Sequence, residues 1–139
     1  MLVNPIYSRV NPKRILHTIA NTNAIRSDRI DISEPQEFLQ ASIIALPARK
    51  QVAPHVHDQR SVNSAAATIT QESWVVMRGR IHVRLFDVDL LLLHEEVLSA
   101  GYLLVSYGGG HGLQCLDEDV VILEFKNGPY LGRDFQTFA

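Results

Sequence analysis

The chain is poor in the features that would place it outside ordinary globular proteins. It has a single cysteine, Cys115, so no internal disulfide can staple it, and a reducing compartment is the expectation. Its longest apolar runs, such as Leu90–Leu93, fall far short of the roughly 20 residues that a membrane-spanning helix needs. The N-terminal stretch MLVNPIYSRVNPKRIL carries prolines and charges where a secretory leader needs an apolar run. Neither charge sign dominates: 13 Lys+Arg stand against 15 Asp+Glu, for a net charge of −2. With no basic run and no RNA-binding motif, nothing favours nucleic acid. Internal repeats, low-complexity tracts and dividing linkers are missing too. The expectation is a cytoplasmic protein with a small-molecule ligand and neither nucleic-acid nor membrane partners.

What is present fits one domain. At 139 residues, with 46% hydrophobic and 20% charged residues, the chain can bury a substantial core. Residues 1–37 read as an N-terminal arm. Asn11-Pro12 supplies an N-cap and a first-turn proline, and Ile15, Leu16, Ile19 and Ala20 follow at helical spacing, which predicts a short helix from Pro12 to Ala20; RILHTI also reads as a strand. From Phe38 to Lys126 the pattern is short β-prone runs divided by turn residues. In one of them Ile81, Val83 and Leu85 alternate with His82, Arg84 and Phe86. Seven to nine such runs predict an all-β sandwich or barrel. GGGHG (Gly108–Gly112) reads as a flexible bend, and the LLLL run as core or as a dimer face. The tail, residues 127–139, has too much Gly and Pro for regular structure, but its aromatics can dock on the body.

The chemistry concentrates between Pro54 and Gly79. His55 and His57 sit two apart, so on a strand both imidazoles project from one face. Glu72 follows in another β-prone run, sharing its parity with Trp74 and Val76, and His111 lies downstream. Two histidines and a carboxylate on neighbouring strands could hold one metal ion, with His111 as a fourth ligand. A lone His-x-His pair on a strand is more often surface or core histidine than a ligand pair; the further residues in order turn this round. Cys115 shares the parity of His111 and Leu113 and reads as an inert interior residue. Glu124 stands on a strand of apolar residues with Val120 and Ile122 on its face, so it lies either at the exposed end or in the pocket.

These residues resemble the two sequence motifs of the cupin superfamily. The first reads G-x5-H-x-H-x3–4-E-x6-G, and His55, His57, Glu72 and Gly79 match it. The second reads G-x5-P-x-G-x2-H-x3-N, and Gly101, Gly109 and His111 match it with one residue fewer before the histidine. The departures are Arg49 for the first glycine, Tyr107 and Cys115 for the proline and asparagine, and a long insertion, residues 58–71, between His57 and Glu72. A longer hairpin loop accommodates that insertion without moving either strand. The closing segment EFKNGPYLG is similar to small single-domain cupins of bacterial polysaccharide gene clusters.

The resemblance implies a single-domain cupin-type jelly-roll β-barrel over residues 38–126, with a tail packed on it. It implies a divalent transition metal (Fe, Mn, Zn or Ni) held by His55, His57, Glu72 and His111, and a homodimer. It further implies an enzyme acting on a small polar substrate such as a carbohydrate or nucleotide-sugar, with Glu124 and Tyr130 as candidates for moving protons. An oxygen-dependent dioxygenase is a second version of the same site, and a non-catalytic binding or sensor domain is the alternative class.

Overall fold

The computed structural model describes residues 3–24, 28–57, 59–61, 67–129, 132 and 135–138. Almost all of it is strand: β1 (Val3–Tyr7), β2 (Ile15–Ala20), β3 (Asp28–Asp31), β4 (Leu39–Leu46), β5 (Gln51–His57), β6 (Gln59–Ser61), β7 (Ala67–Ile69), β8 (Glu72–Arg78), β9 (Arg80–Phe86), β10 (Leu92–Ser99), β11 (Leu103–Ser106), β12 (Gly110–Cys115), β13 (Val120–Asn127) and β14 (Phe135–Thr137). One 3-10 turn, Thr22–Ala24, is the helical structure among the described residues, and no helix there is long and apolar enough to cross a membrane.

Two five-stranded antiparallel sheets face each other, in the orders β10-β9-β12-β5-β14 and β11-β8-β13-β4-β3. Their shared interior holds Trp74 and Val76 from β8, Ile81 and Val83 from β9, Leu113 and Cys115 from β12, and Val120 and Ile122 from β13. Each strand contributes alternate residues, as a pleated surface buried on one face demands. The register is therefore fixed. Slipping β8 by one residue would turn Glu72, Trp74 and Val76 out of the interior together. Gly79 joins β8 to β9 at φ +75°, the left-handed conformation a tight turn there requires. β13 is buried on both faces, because Val121 packs with Ile43 and Ala45 in a second cluster that Ala20 and Ile30 cover.

The segment Pro12–Ala20 does not form a helix. β1 and β2 make a hairpin, with Val3 opposite Ala20. Pro12 lies in its loop, where the Ser8 hydroxyl accepts from the Val10 and Asn11 amides and Arg14 N–H donates to the Asn11 carbonyl. The same Asn-Pro pair that can cap a helix here builds a turn, and β-branched Ile15, Thr18 and Ile19 favour the strand. The tail is more regular than its composition predicts, since β14 pairs with β5, and Phe138 meets Phe86 edge-on at 5.0 Å between centroids. Leu90–Leu93 are not core: each is at least 41% exposed, around a turn where Leu90 takes φ +69° and along the outer strand β10.

Candidate metal centre

His55 and His57 project from β5, and β12 pairs beside it with His111 directly opposite His55. This antiparallel pairing brings the two rings to 4.6 Å between centroids. His111 stands on the strand itself and not in a bend, because β12 begins at buried Gly110, paired with Val56 and Phe86. The fourth group comes from the facing sheet. Glu72 opens β8 and points across the interior, its carboxylate 3.0 Å from His57 Nε2 and 3.2 Å from His111 Nε2. One ligand atom from each of the four residues lies within 4.8 Å of the others, and all four side chains are buried. The insertion between His57 and Glu72 is spanned by the small hairpin β6–β7, with Gln59 opposite Ile69. It rises and returns without displacing either ligand strand; its tip lies outside the described residues.

The arrangement fits a cation. His55 Nδ1 donates to the Ala53 carbonyl at 2.9 Å, which turns its Nε2 lone pair inward. His111 Nδ1 lies 3.1 Å from Ser106 Oγ, and in the tautomer that donates to Ser106 its Nε2 is likewise free to bind. That Nε2 is buried, near Glu72 yet outside hydrogen-bonding geometry with any described residue. A buried polar atom without a bond is costly, and a metal ion among three imidazoles and a carboxylate would satisfy it. This donor set suits Fe(II), Mn(II), Zn(II) or Ni(II).

Burial lowers the His55 pKa below its ordinary 6.5, and the charges of His111 and His57 act in the same direction against the Ala53 bond and Glu72. Burial alone would raise the Glu72 carboxyl, but the contacts with His111 and His57 outweigh it and hold it well below its usual range. A depressed folded pKa means that protonation opposes folding. The His55 contribution is therefore complete above pH 6.5 and erodes as the pH falls through 6.5 toward the folded value. Chelator-treated protein should melt at lower temperature at pH 5.5 than at pH 8, with a shallower slope in His55→Gln. Equal slopes in thermal scans would refute this account.

The cavity beside these ligands has a volume of about 230 Å³. Glu124 is buried and lines it, where its two cross-strand neighbours on β4 and β8 are Ser42 and Trp74. Trp74 Nε1–H donates to Glu124 Oε2 at 3.3 Å, and Arg29 Nη2 lies 2.8 Å from Oε1. Cys115 is buried in the core, its thiol pushed up to about 11 by burial, which keeps it unreactive. Tyr130 lies outside the described residues. Arg29, Lys126 and Phe135 also line the cavity and escaped the sequence reading. Arg29 alternates with Ile30 and Ile32 as a strand residue does, but that pattern does not say which way the strand faces. Phe135 reaches the site through β14, packing at 5.0 Å from the His55 ring.

No protein-family model matches the sequence, and neither does any curated protein. Solved structures do match it. A protein with a double-stranded β-helix domain from Klebsiella pneumoniae superposes with a TM-score of 0.60 at 16% identity, covering 87% of this chain and 96% of that one. CapF from Staphylococcus aureus, a capsular polysaccharide assembling protein, gives 0.62 at 17%, over 79% of this chain and 31% of CapF. KdgF from Halomonas sp. gives 0.55 at 18%, over 71% and 76%. These likenesses show the fold: the chain is a double-stranded β-helix, the architecture that the motif resemblance implies.

Proposed function

We propose that this protein is a metal-dependent cupin enzyme acting on a small polar molecule such as a carbohydrate or nucleotide-sugar. The observation that carries the reading is the convergence of three buried imidazoles and one buried carboxylate from two sheets, with ligand atoms within 4.8 Å. Four protein ligands leave open positions on a six-coordinate ion, so a bound metal would supply a Lewis acid for a substrate oxygen. The residues around it do the rest. Glu124, in the cavity and oriented by Trp74 and Arg29, is the group proposed to accept a proton. Tyr130 is the second proposed proton-moving group. A cavity of about 230 Å³ admits a monosaccharide-sized unit and little more. Its polar residues favour the catalytic reading over a non-catalytic binding module, for which a dry aliphatic pocket would suffice.

Elemental analysis of untagged protein tests the metal reading, with about one transition-metal ion per chain expected. Metal-free protein whose melting temperature is unmoved by added Fe(II), Mn(II), Zn(II) or Ni(II) would sink it.

A further inference from the structure

Three of the four edges of the two main sheets are short: β14 has three residues, and β3 and β11 have four each. Short edges are one way a sandwich avoids pairing with other chains. The fourth edge, β10, runs for eight residues, LLHEEVLS, with neither Lys nor Pro to blunt it. No strand pairs with its outer edge among the described residues, and its first six residues are exposed.

A two-fold interface has to be self-complementary, and β10 is so about Glu95. Two copies running antiparallel with Glu95 on the axis set His94 opposite Glu96 and Leu93 opposite Val97, each pair twice. Opposite charges and aliphatic pairs are favourable cross-strand matches. Neighbouring registers lose them. A shift of one residue puts Leu93 opposite Glu96 in one direction and Glu95 opposite Glu96 in the other. Glu95 facing its own copy is the one like-charge pair, and β9 answers it. His82 Nε2 lies 2.8 Å from Glu95 Oε2, and Arg84 stands directly across from Glu95. The irregularity between Leu92 and His94 ends the regular ladder there, so the shared stretch is residues 93–97, an ordinary strand length. Specific interfaces bury about 1,000 Å² or more, and apolar surface at this edge can enlarge the contact. Leu91 is 66% exposed, and β11, which follows β10 through the turn at 99–102, exposes Leu103 and Val105.

We infer that the partner of this edge is a second copy of the chain, paired antiparallel through β10 with Glu95 at the two-fold axis. The two five-stranded sheets then join into one continuous sheet. The pairing makes no use of the metal ligands, so its test runs in chelator and in metal alike.

Sedimentation equilibrium should give a mass near twice the 15.6 kDa of one chain. A monomer up to millimolar concentration overturns the inference. Val97→Lys places a cation opposite Leu93 and should weaken the dimer about tenfold or more. The register has its own readout. Residues directly opposite on antiparallel strands have Cα atoms about 4.5–5.5 Å apart, within reach of a disulfide. Under mild oxidation Glu95→Cys should therefore cross-link to its own copy. Leu93→Cys and Val97→Cys should cross-link to each other when mixed, and far more slowly alone. Cys115 is buried and does not compete. Val10→Cys, at a position 97% exposed in the β1–β2 loop, sets the rate of chance collision. Thermal scans check that each variant is folded, and the cross-links decide the matter even where Val97→Lys is not. Cross-linking of Glu95→Cys no faster than that of Val10→Cys overturns the inference. So does a dimer that folded Val97→Lys leaves intact, which would place the contact on another surface.

Discussion

His111→Ala is expected to weaken metal binding by more than about a hundredfold and to erase the stabilisation that metal confers. Residues that merely orient a ligand account for 10–100-fold in affinity, so loss of the ligand should exceed that range. Among the described residues His111 is the β12 member of the cluster, 2% exposed, and its neighbours Gly110 and Gly112 carry no donor side chain. An ion present at a thousand times its Kd adds about 4 kcal/mol to the native state. For a domain of this size that is a rise in Tm of roughly 10–20 °C. Wild-type protein should show such a rise on metal addition and the variant almost none, while the two differ less in chelator, where the loss is that of packing and of one Glu72 contact. Ser106→Ala should fall between them, since it removes only the partner of His111 Nδ1. A His111→Ala protein that retains one ion per chain and the full metal-induced rise would exclude His111 as a ligand.

The legible part of this molecule was the part governed by a period of two. His55 and His57 share a face because they are two apart on a strand, and Glu72, Trp74 and Val76 do so for the same reason; all five are buried. Gly79 anchored the count, since a positive-φ turn at the end of β8 fixes how far back Glu72 lies. The insertion stayed compatible with the motif because the β6–β7 hairpin returns the chain to where it left. Local signals failed where two structures share the same cues. Asn11-Pro12 serves a helix start and a hairpin loop alike, and the partner that decides is β1, which lies before it in sequence. Arg29, β14 and the direction of Glu124 are matters of tertiary placement. Glu124 could end in solvent or in the cavity on its strand pattern alone, and β3 laid along β4 resolves it by bringing Arg29 within 2.8 Å. The Leu90–Leu93 run reads as core or as a dimer face, and the turn and outer strand that expose it remove the first of these alternatives alone.

Gly109→Ala should be among the most damaging single-methyl changes in the chain, destabilising it by roughly 3–5 kcal/mol. Gly109 has φ +73°, a conformation that costs an L-residue about 1–2 kcal/mol by itself. A Cβ placed there would stand 2.3 Å from the Phe86 carbonyl oxygen, inside any real contact distance. The clashing atom is backbone, in the strand that pairs with β12, so no side-chain rotation relieves it. Relief requires β12 to move away from β9, and Gly110 and His111, paired there with Phe86 and Leu85, would move with it. Gly108→Ala is the matched control: its φ is not in the left-handed region and nothing lies within 4 Å of its Cβ, so a change within about 0.5 kcal/mol is expected. Denaturant unfolding in chelator measures the strain on its own, and metal titration of the same variants measures what it does to the site. Gly109→Ala should lose both stability and metal affinity, and Gly108→Ala neither. Equal stability of the two variants would mean that β12 tolerates the shift and that Gly109 does not set the position of His111.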